Sequence, residues 1–187
     1  MITIILYGES GEKNLDRIFE KNLKRNYQVH MVAERGIATK GSGKELLFLN
    51  SNHIAQVCGG PSVLVLKPNA VLTGLSEIRG NVIALVHSAC SEQLKLLAEK
   101  KIRTVVCGMS TKDTVTLSSF NDNRAAVSLQ RTVENPDGKP VEPMEITLEL
   151  GFPYDPLSVL LYTAAMMICG AFSPQEDSDT AAANYLM

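Results

Sequence analysis

The sequence predicts one α/β domain of three layers, in which a mostly parallel sheet lies between helices and a small antiparallel meander follows near the C-terminus. Its 187 residues suit one compact domain. Short continuous apolar runs recur up to residue 108, as in strands covered on both faces. Later runs alternate apolar and polar residues, as in strands with one solvated face. We expect the domain to span residues 1–172 and a flexible tail to span 173–187.

The first elements follow from periodicity. Residues 2–7 predict a strand, and apolar side chains then recur at the spacing of one helix face. These side chains are Leu15, Ile18, Phe19 and Leu23. Residues 28–33 predict a second strand, and Gly36, Gly41 and Gly43 predict a flexible loop after it.

Four apolar runs predict buried strands in the middle of the chain. They are Leu46–Leu49, Ser62–Leu66, Val82–Val86 and Thr104–Cys107. Between the last two, Leu94, Leu97 and Ala98 share one face of a predicted helix. Residues 82–107 therefore predict a β-α-β unit with a right-handed crossover.

The last third predicts the meander and a closing helix. Alternating runs at 114–119, 125–131 and 145–150 predict strands, and Asn135–Gly138 predicts a turn between the last two. Asp155 is expected to cap the helix, Pro156 to lie in its first turn and Gly170 to end it. The apolar stripe of this helix consists of Leu157, Leu160, Leu161, Ala164, Ala165 and Ile168.

Composition excludes several classes of function. The net charge is −2 with no long basic run, which argues against a nucleic-acid-binding protein. No apolar stretch reaches about 18 residues, so we expect no membrane span. The N-terminus lacks a basic region before its apolar run, and it resembles a strand more than a signal peptide. We therefore expect a cytoplasmic protein whose cysteines are free thiols. No Cys-x-x-Cys pair is present, so no metal site is expected. The cysteines are Cys58, Cys90, Cys107 and Cys169.

The first turn is a candidate anion site. It lies between a strand and a helix, where backbone N–H groups and the helix N-terminus can bind phosphate. Glu12 stands where a phosphate loop has its Lys, and Lys13 comes one residue later. The alternatives are weak nucleotide or anion binding and a simple tight turn. The binding residues would be Gly8, Ser10, Gly11, Lys13 and Asn14. The similar Gly41–Lys44 segment precedes a strand, and we interpret it as a loop.

Polar residues at strand ends extend this candidate site. Asn50, His53 and His87 follow or end predicted strands, and ligands of open α/β sheets bind beyond the carboxyl ends of strands. We therefore add all three residues to the candidate ligand-binding set. Cys90 and His87 could also form a nucleophile pair. The alternative is that these polar residues cap a helix or contact water.

The order of six segments carries a family resemblance over roughly residues 1–170. The segments are Tyr7–Lys13, Asn50–His53, Pro61–Leu66, Val82–Cys90, Thr104–Ser110 and Gly151–Leu157. In this order they resemble the central, ATP-binding domain of the Mur ligases, which form amide bonds in peptidoglycan assembly. The first segment is similar to the family's T-G-T-N-G-K-T loop and the last to its G-x-H-N-x-x-N-x-x-A-A helix start. The resemblance implies a phosphate-loop type of α/β fold.

The departures from the family imply a degenerate, stand-alone central domain. Glu12 replaces the phosphate-loop Lys, His87 replaces the Asn that would meet adenine, and Ala89-Cys90 replaces an acidic pair. The family's D-H segment after Pro61–Leu66 has no counterpart, nor have its two flanking domains. These departures from the family it resembles therefore imply a chain that neither hydrolyses ATP nor forms amide bonds.

Three classes of function stay open from the sequence. The first is a non-catalytic binding or partner module, which the resemblance links to cell-envelope metabolism. The second is a small enzyme or nucleotide-binding protein that uses the crevice near Gly8–Lys13, His53 and His87. The third is a structural subunit of a homo-oligomer. We expect no dedicated cofactor, and either a small molecule or a protein as the partner.

Overall fold

A computed structural model describes residues 1–9, 13–33, 36–172 and 185–186. It contains the predicted strands and helices. The strands are β1 (Ile2–Tyr7), β2 (Tyr27–Ala33), β3 (Gly36–Lys40), β4 (Lys44–Ser51), β5 (Gln56–Leu66), β6 (Glu77–His87), β7 (Arg103–Gly108), β8 (Val115–Phe120), β9 (Arg124–Leu129), β10 (Val133–Glu134), β11 (Pro140–Val141), β12 (Met144–Leu150) and β13 (Tyr185–Leu186). The helices are α1 (Lys13–Asn22), α2 (Ser91–Glu99) and α3 (Pro156–Ile168).

One large sheet organises the described part of the chain. Its order is β13-β12-β9-β8-β7-β6-β5-β1-β4-β2-β3, and β10 pairs separately with β11. Every pairing from β2 through β4, β1, β5, β6 and β7 to β8 is parallel. The strands β8, β9 and β12 form an antiparallel meander. This confirms the predicted α/β class, with a mostly parallel sheet and a meander.

Helices cover both faces of the parallel strands, as the continuous apolar runs predicted. Successive side chains of a strand point to opposite faces. Ile4 and Leu6 of β1 accordingly belong to the core under α1 and α3. Ile5 and Tyr7 belong to a second core, which contains Leu97 of α2. The Phe19 ring of α1 meets the Tyr162 ring of α3 with centroids 5.2 Å apart, which joins the two helices on their shared face.

Helix α3 begins as predicted and is buried more widely than its stripe suggested. The Asp155 carboxylate accepts a hydrogen bond from the Ser158 N–H at 2.9 Å, and Pro156 occupies the first turn. Residues from Ser158 to Ile168 are all buried. This follows from the helix packing on α1 and on strands β5 to β9. The buried Thr163 hydroxyl donates a hydrogen bond to the Val159 carbonyl of the same helix at 2.8 Å.

The loop predicted from Gly36 to Gly43 is wrong in its first half. Residues Gly36–Lys40 form β3, an antiparallel partner of β2 at the edge of the sheet. All five residues are exposed, so burial imposes no apolar pattern that periodicity could detect. The second half is a turn, where a Cβ on Gly41 would lie 2.3 Å from the Tyr27 carbonyl oxygen.

One smaller expectation also changes. Ala98 is exposed rather than buried with Leu97, because α2 turns only its Gln93–Leu97 side fully towards the sheet. The expected tail lies largely outside the described residues, and its described part, Tyr185–Leu186, pairs parallel with β12. None of the helices in the described ranges has the length and apolar character needed to cross a membrane.

Candidate functional site

A cavity of about 700 Å³ opens at the carboxyl ends of β1, β4 and β2, between α1 and β3. The position follows from topology. From β1 the chain passes through α1 to β2, β3 and β4 on one side, and then continues to β5 on the other side. Ligands of open α/β sheets bind where the strand order reverses in this way. The volume falls within the range of about 300–1,000 Å³ that is usual for small-molecule sites.

The two sides of the cavity differ in character. Helix α1 contributes Lys13, Asp16, Arg17 and Glu20. The β2–β3 hairpin contributes small and apolar residues, and the end of β4 contributes Asn50, Ser51 and Asn52. The hairpin residues are Met31, Ala33, Gly36, Ile37 and Ala38, with Lys40 at the end of β3. The cavity is therefore charged and polar on one side and mostly apolar on the other.

A buried ammonium group lies behind the α1 side. Lys67 directly follows β5, and its side chain is 0% exposed. Its Nζ forms an ion pair with Asp16 Oδ1 at 2.7 Å and donates to Asn50 Oδ1 at 3.0 Å and to the Glu9 carbonyl at 3.3 Å. The contacts with Asn50 and Glu9 are hydrogen bonds, whereas the contact with Asp16 is an ion pair only, since Asp16 Oδ1 has no hydrogen-bond partner within the described residues. Because the side chain is 0% exposed, a ligand in the cavity cannot reach Lys67 Nζ.

Gly8 makes room for Lys67. Its φ of +136° lies in the region that favours glycine, and a Cβ on it would lie 2.8 Å from Lys67 Cβ. The Lys67 N–H donates to the Tyr7 carbonyl at 3.0 Å, which fixes the two strand ends together. Gly8 therefore serves the approach of a side chain of the protein. The predicted role in phosphate binding stays a prediction.

Gln93 fixes the segment after β5 from the opposite face. It lies in α2 and is 5% exposed. Its amide nitrogen donates to the carbonyls of Lys67 at 2.8 Å, Ala70 at 3.1 Å and Pro68 at 3.2 Å. The backbone that carries Lys67 is therefore held by α2, while the side chain is held by α1 and β4.

Three polar atoms in the cavity lining lack a hydrogen-bond partner within the described residues, and one of them, Asp16 Oδ1, has the Lys67 ammonium as an ion-pair partner. Arg17 Nε and Asn52 Oδ1 are buried and have no hydrogen-bond partner within the described residues. The Arg17 guanidinium carbon lies 3.6 Å from the centroid of the Phe152 ring, so one face of the group is covered by an aromatic ring. A buried donor or acceptor without a partner costs roughly 1–3 kcal/mol.

The structure brings together three of the predicted site residues. Gly8, Lys13 and Asn50 line the cavity. Ser10 and Gly11 lie outside the described residues. Three further predicted residues lie apart from the described lining, namely Asn14 on α1, His53 after β4 and His87 at the end of β6. His87 lies beyond β5 as seen from β1, so its strand end belongs to the other side of the sheet's reversal point.

The Cys90–His87 nucleophile pair is disfavoured. Burial raises the pKa of the Cys90 thiol, which keeps it protonated. Its Sγ lies 3.8 Å from the Pro68 carbonyl oxygen, to which the thiol donates. The four cysteines are free thiols. No group of three metal-binding side chains occurs within the ranges that the structure describes.

Sequence reasoning missed the ion pair at the centre of the site. Lys67 stands directly after an apolar run and before a proline, so its position at a strand end was available as a signal. Asp16 lies three positions after Lys13, at the spacing that puts both on one helix side. Arg17 carried no such signal, because a lone basic residue on a helix is usually solvated.

Comparison with known proteins assigns no family. No family profile matches the sequence, and no curated protein matches it. Among solved structures, 92% of the chain is similar to a murein peptide ligase from Psychrobacter arcticus, with 11% sequence identity and a TM-score of 0.45. The chain spans 46% of that protein, which is less than half of its length. This is a distant likeness in fold, and it assigns neither substrate nor activity.

Proposed function

We propose that this chain is a non-catalytic binding module that takes a small-molecule ligand in the cavity between α1 and β3. The observation that carries the proposal is the environment of Lys67. A cation beside a strand-to-helix turn could stabilise a phosphoryl group, but the Lys67 side chain is 0% exposed and its Nζ contacts Asp16, Asn50 and the Glu9 carbonyl. The cavity has the volume of a small-molecule site, while the buried cation behind it is held by groups of the protein itself.

The charges of the residues near the first turn support the proposal that the chain does not catalyse phosphoryl transfer. That reaction depends on positioned cations and metal ions that stabilise anionic oxygens. The residue order puts Glu12 where a phosphate loop has its Lys. An amide, Asn50, stands at the end of β4, and it is bound to Lys67. The link to cell-envelope metabolism rests on the resemblance in residue order to the Mur ligase central domain.

The second candidate is a small nucleotide-binding protein or enzyme that uses the same crevice. One observation favours it, because Gly8 and Lys13 line a single cavity at the N-terminal end of α1. Backbone N–H groups at such a helix end bind anions without help from side chains.

Comparing the wild-type chain with Glu12→Lys tests the proposal. Calorimetric titration with Mg-ATP and an assay of phosphate release should show neither micromolar binding nor turnover for the wild type. Glu99→Lys makes the same charge change at an exposed position of α2, and it serves as the control. In parallel, a thermal-shift screen of nucleotides and UDP-sugars should find a ligand that raises the unfolding midpoint. Turnover of ATP by the wild type would refute the non-catalytic assignment.

A further inference from the structure

Resting on the proposed function, we infer that the cavity selects an organic anion that carries a small, flat apolar group. The anionic group lies near Lys13 and Arg17 of α1 and Lys40 of β3, and the apolar group lies on the β2–β3 hairpin. This site is on the opposite side of β1 from β6 and His87.

The charges of the lining favour an anion. Lys13, Arg17 and Lys40 supply three positive charges, and Asp16 and Glu20 supply two carboxylates. The ammonium of Lys67 neutralises Asp16 from behind at 2.7 Å. The ligand therefore meets a net positive surface, to which Arg17 contributes one of the positive charges.

The register between β2 and β3 identifies the residues that form the apolar surface of the cavity, its floor. Met31 pairs with Ala38, and Ala33 pairs with Gly36, so these four residues share one face of the hairpin. Met31 packs beside the core under α1, so this is the face that turns towards the cavity. Ile37 and Thr39 alternate to the opposite face. Because glycine and alanine project so little, a flat group can lie directly on the backbone of β3.

Two matched substitutions on β3 separate the faces. Ala38→Leu fills the floor, whereas Thr39→Leu places the same leucine side chain on the opposite face of the same exposed strand. Neither replaces a buried side chain, so both variants should fold. Lys40→Gln removes one cation of the cavity, and Lys95→Gln on exposed α2 is its control.

The probes are phenyl phosphate, benzoate, inorganic phosphate and benzyl alcohol, titrated by calorimetry and mapped by amide NMR shifts. Phenyl phosphate or benzoate should bind at least about tenfold tighter than inorganic phosphate or benzyl alcohol, because only these probes join a charge to a ring. The tighter of the two identifies the anion as phosphate or carboxylate. Ala38→Leu should weaken ring-bearing anions about tenfold and leave inorganic phosphate unchanged. Lys40→Gln should weaken every anion, and Thr39→Leu and Lys95→Gln should change nothing.

The outcomes separate this inference from the proposed function. If ring-bearing anions bind no tighter than inorganic phosphate, or if Thr39→Leu weakens them as much as Ala38→Leu, the inferred ligand class is wrong. A nucleotide or UDP-sugar that binds the same cavity would then still support a binding module. If neither these probes nor that screen gives shifts at the cavity, the proposed function fails as well.

Discussion

The parallel and antiparallel parts of the sheet differ in how deeply their ion pairs are buried. In the parallel part, helices cover both faces, and the ion pair between Lys67 and Asp16 lies inside with side-chain exposures of 0% and 18%. In the meander, the face away from α3 is open, and the pair between Arg124 and Glu149 is 64% and 60% exposed. A charge pair is therefore a structural element in the first region and a solvated surface feature in the second.

The largest expected effect is at α3, which covers one face of both regions. Leu161 is fully buried there, and Leu161→Ala should lower the free energy of unfolding by about 2–5 kcal/mol, because it removes apolar contacts and leaves a cavity. Chemical denaturation measures the loss, and a single transition would show that both regions unfold together. Unchanged stability with weakened self-association in sedimentation would instead mean that α3 is a partner surface.

The second prediction compares the two ion pairs directly. Lys67→Met should cost about 3 kcal/mol, because it leaves the Asp16 carboxylate without its buried partner. Asp16 keeps some exposure towards the cavity, which limits the loss. Arg124→Met is the matched control and should cost less than about 1 kcal/mol, as exposed pairs usually do. Equal effects of the two substitutions would remove the contrast between the regions.

The third prediction uses alkaline pH as a probe of burial. Burial raises the pKa of the Cys169 thiol from 9.0 to about 12, and it also raises the pKa of Cys107 and Tyr162. The unfolded chain releases these protons first. Stability should therefore be constant below the unfolded pKa values and fall as the pH rises above 9 towards the folded values. Each group contributes roughly 1.4 kcal/mol per pH unit in that window.

Chemical denaturation at a series of pH values measures this slope. Cys169→Ala should reduce the slope, whereas Cys58→Ser should leave it unchanged because Cys58 is exposed. A slope that is the same in both variants would mean that the buried thiol does not contribute to the pH dependence.

The predictable parts of the fold are those where one local pattern decides the structure. The run Val82–Val86 became a buried strand and Asp155 became a helix cap, since both depend on nearby residues. Strand β3 was not predictable, because exposed Gly36–Lys40 pairs through its backbone alone. The role of Lys67 was also hidden, since its partner Asn50 lies 17 residues away and its partner Asp16 lies on another element.

The ammonium of Lys67 acts as a noncovalent crosslink among segments that are far apart in the chain. One nitrogen atom joins the end of β5 to α1, to β4 and to the residue after Gly8. These segments are therefore preorganised before any ligand arrives, which lowers the entropic cost of binding. Strand β3 forms the opposite wall of the cavity, and it is an edge strand paired on one side only. Ligand exchange should accordingly follow the motion of this edge, with the strand ends around Lys67 acting as a rigid reference.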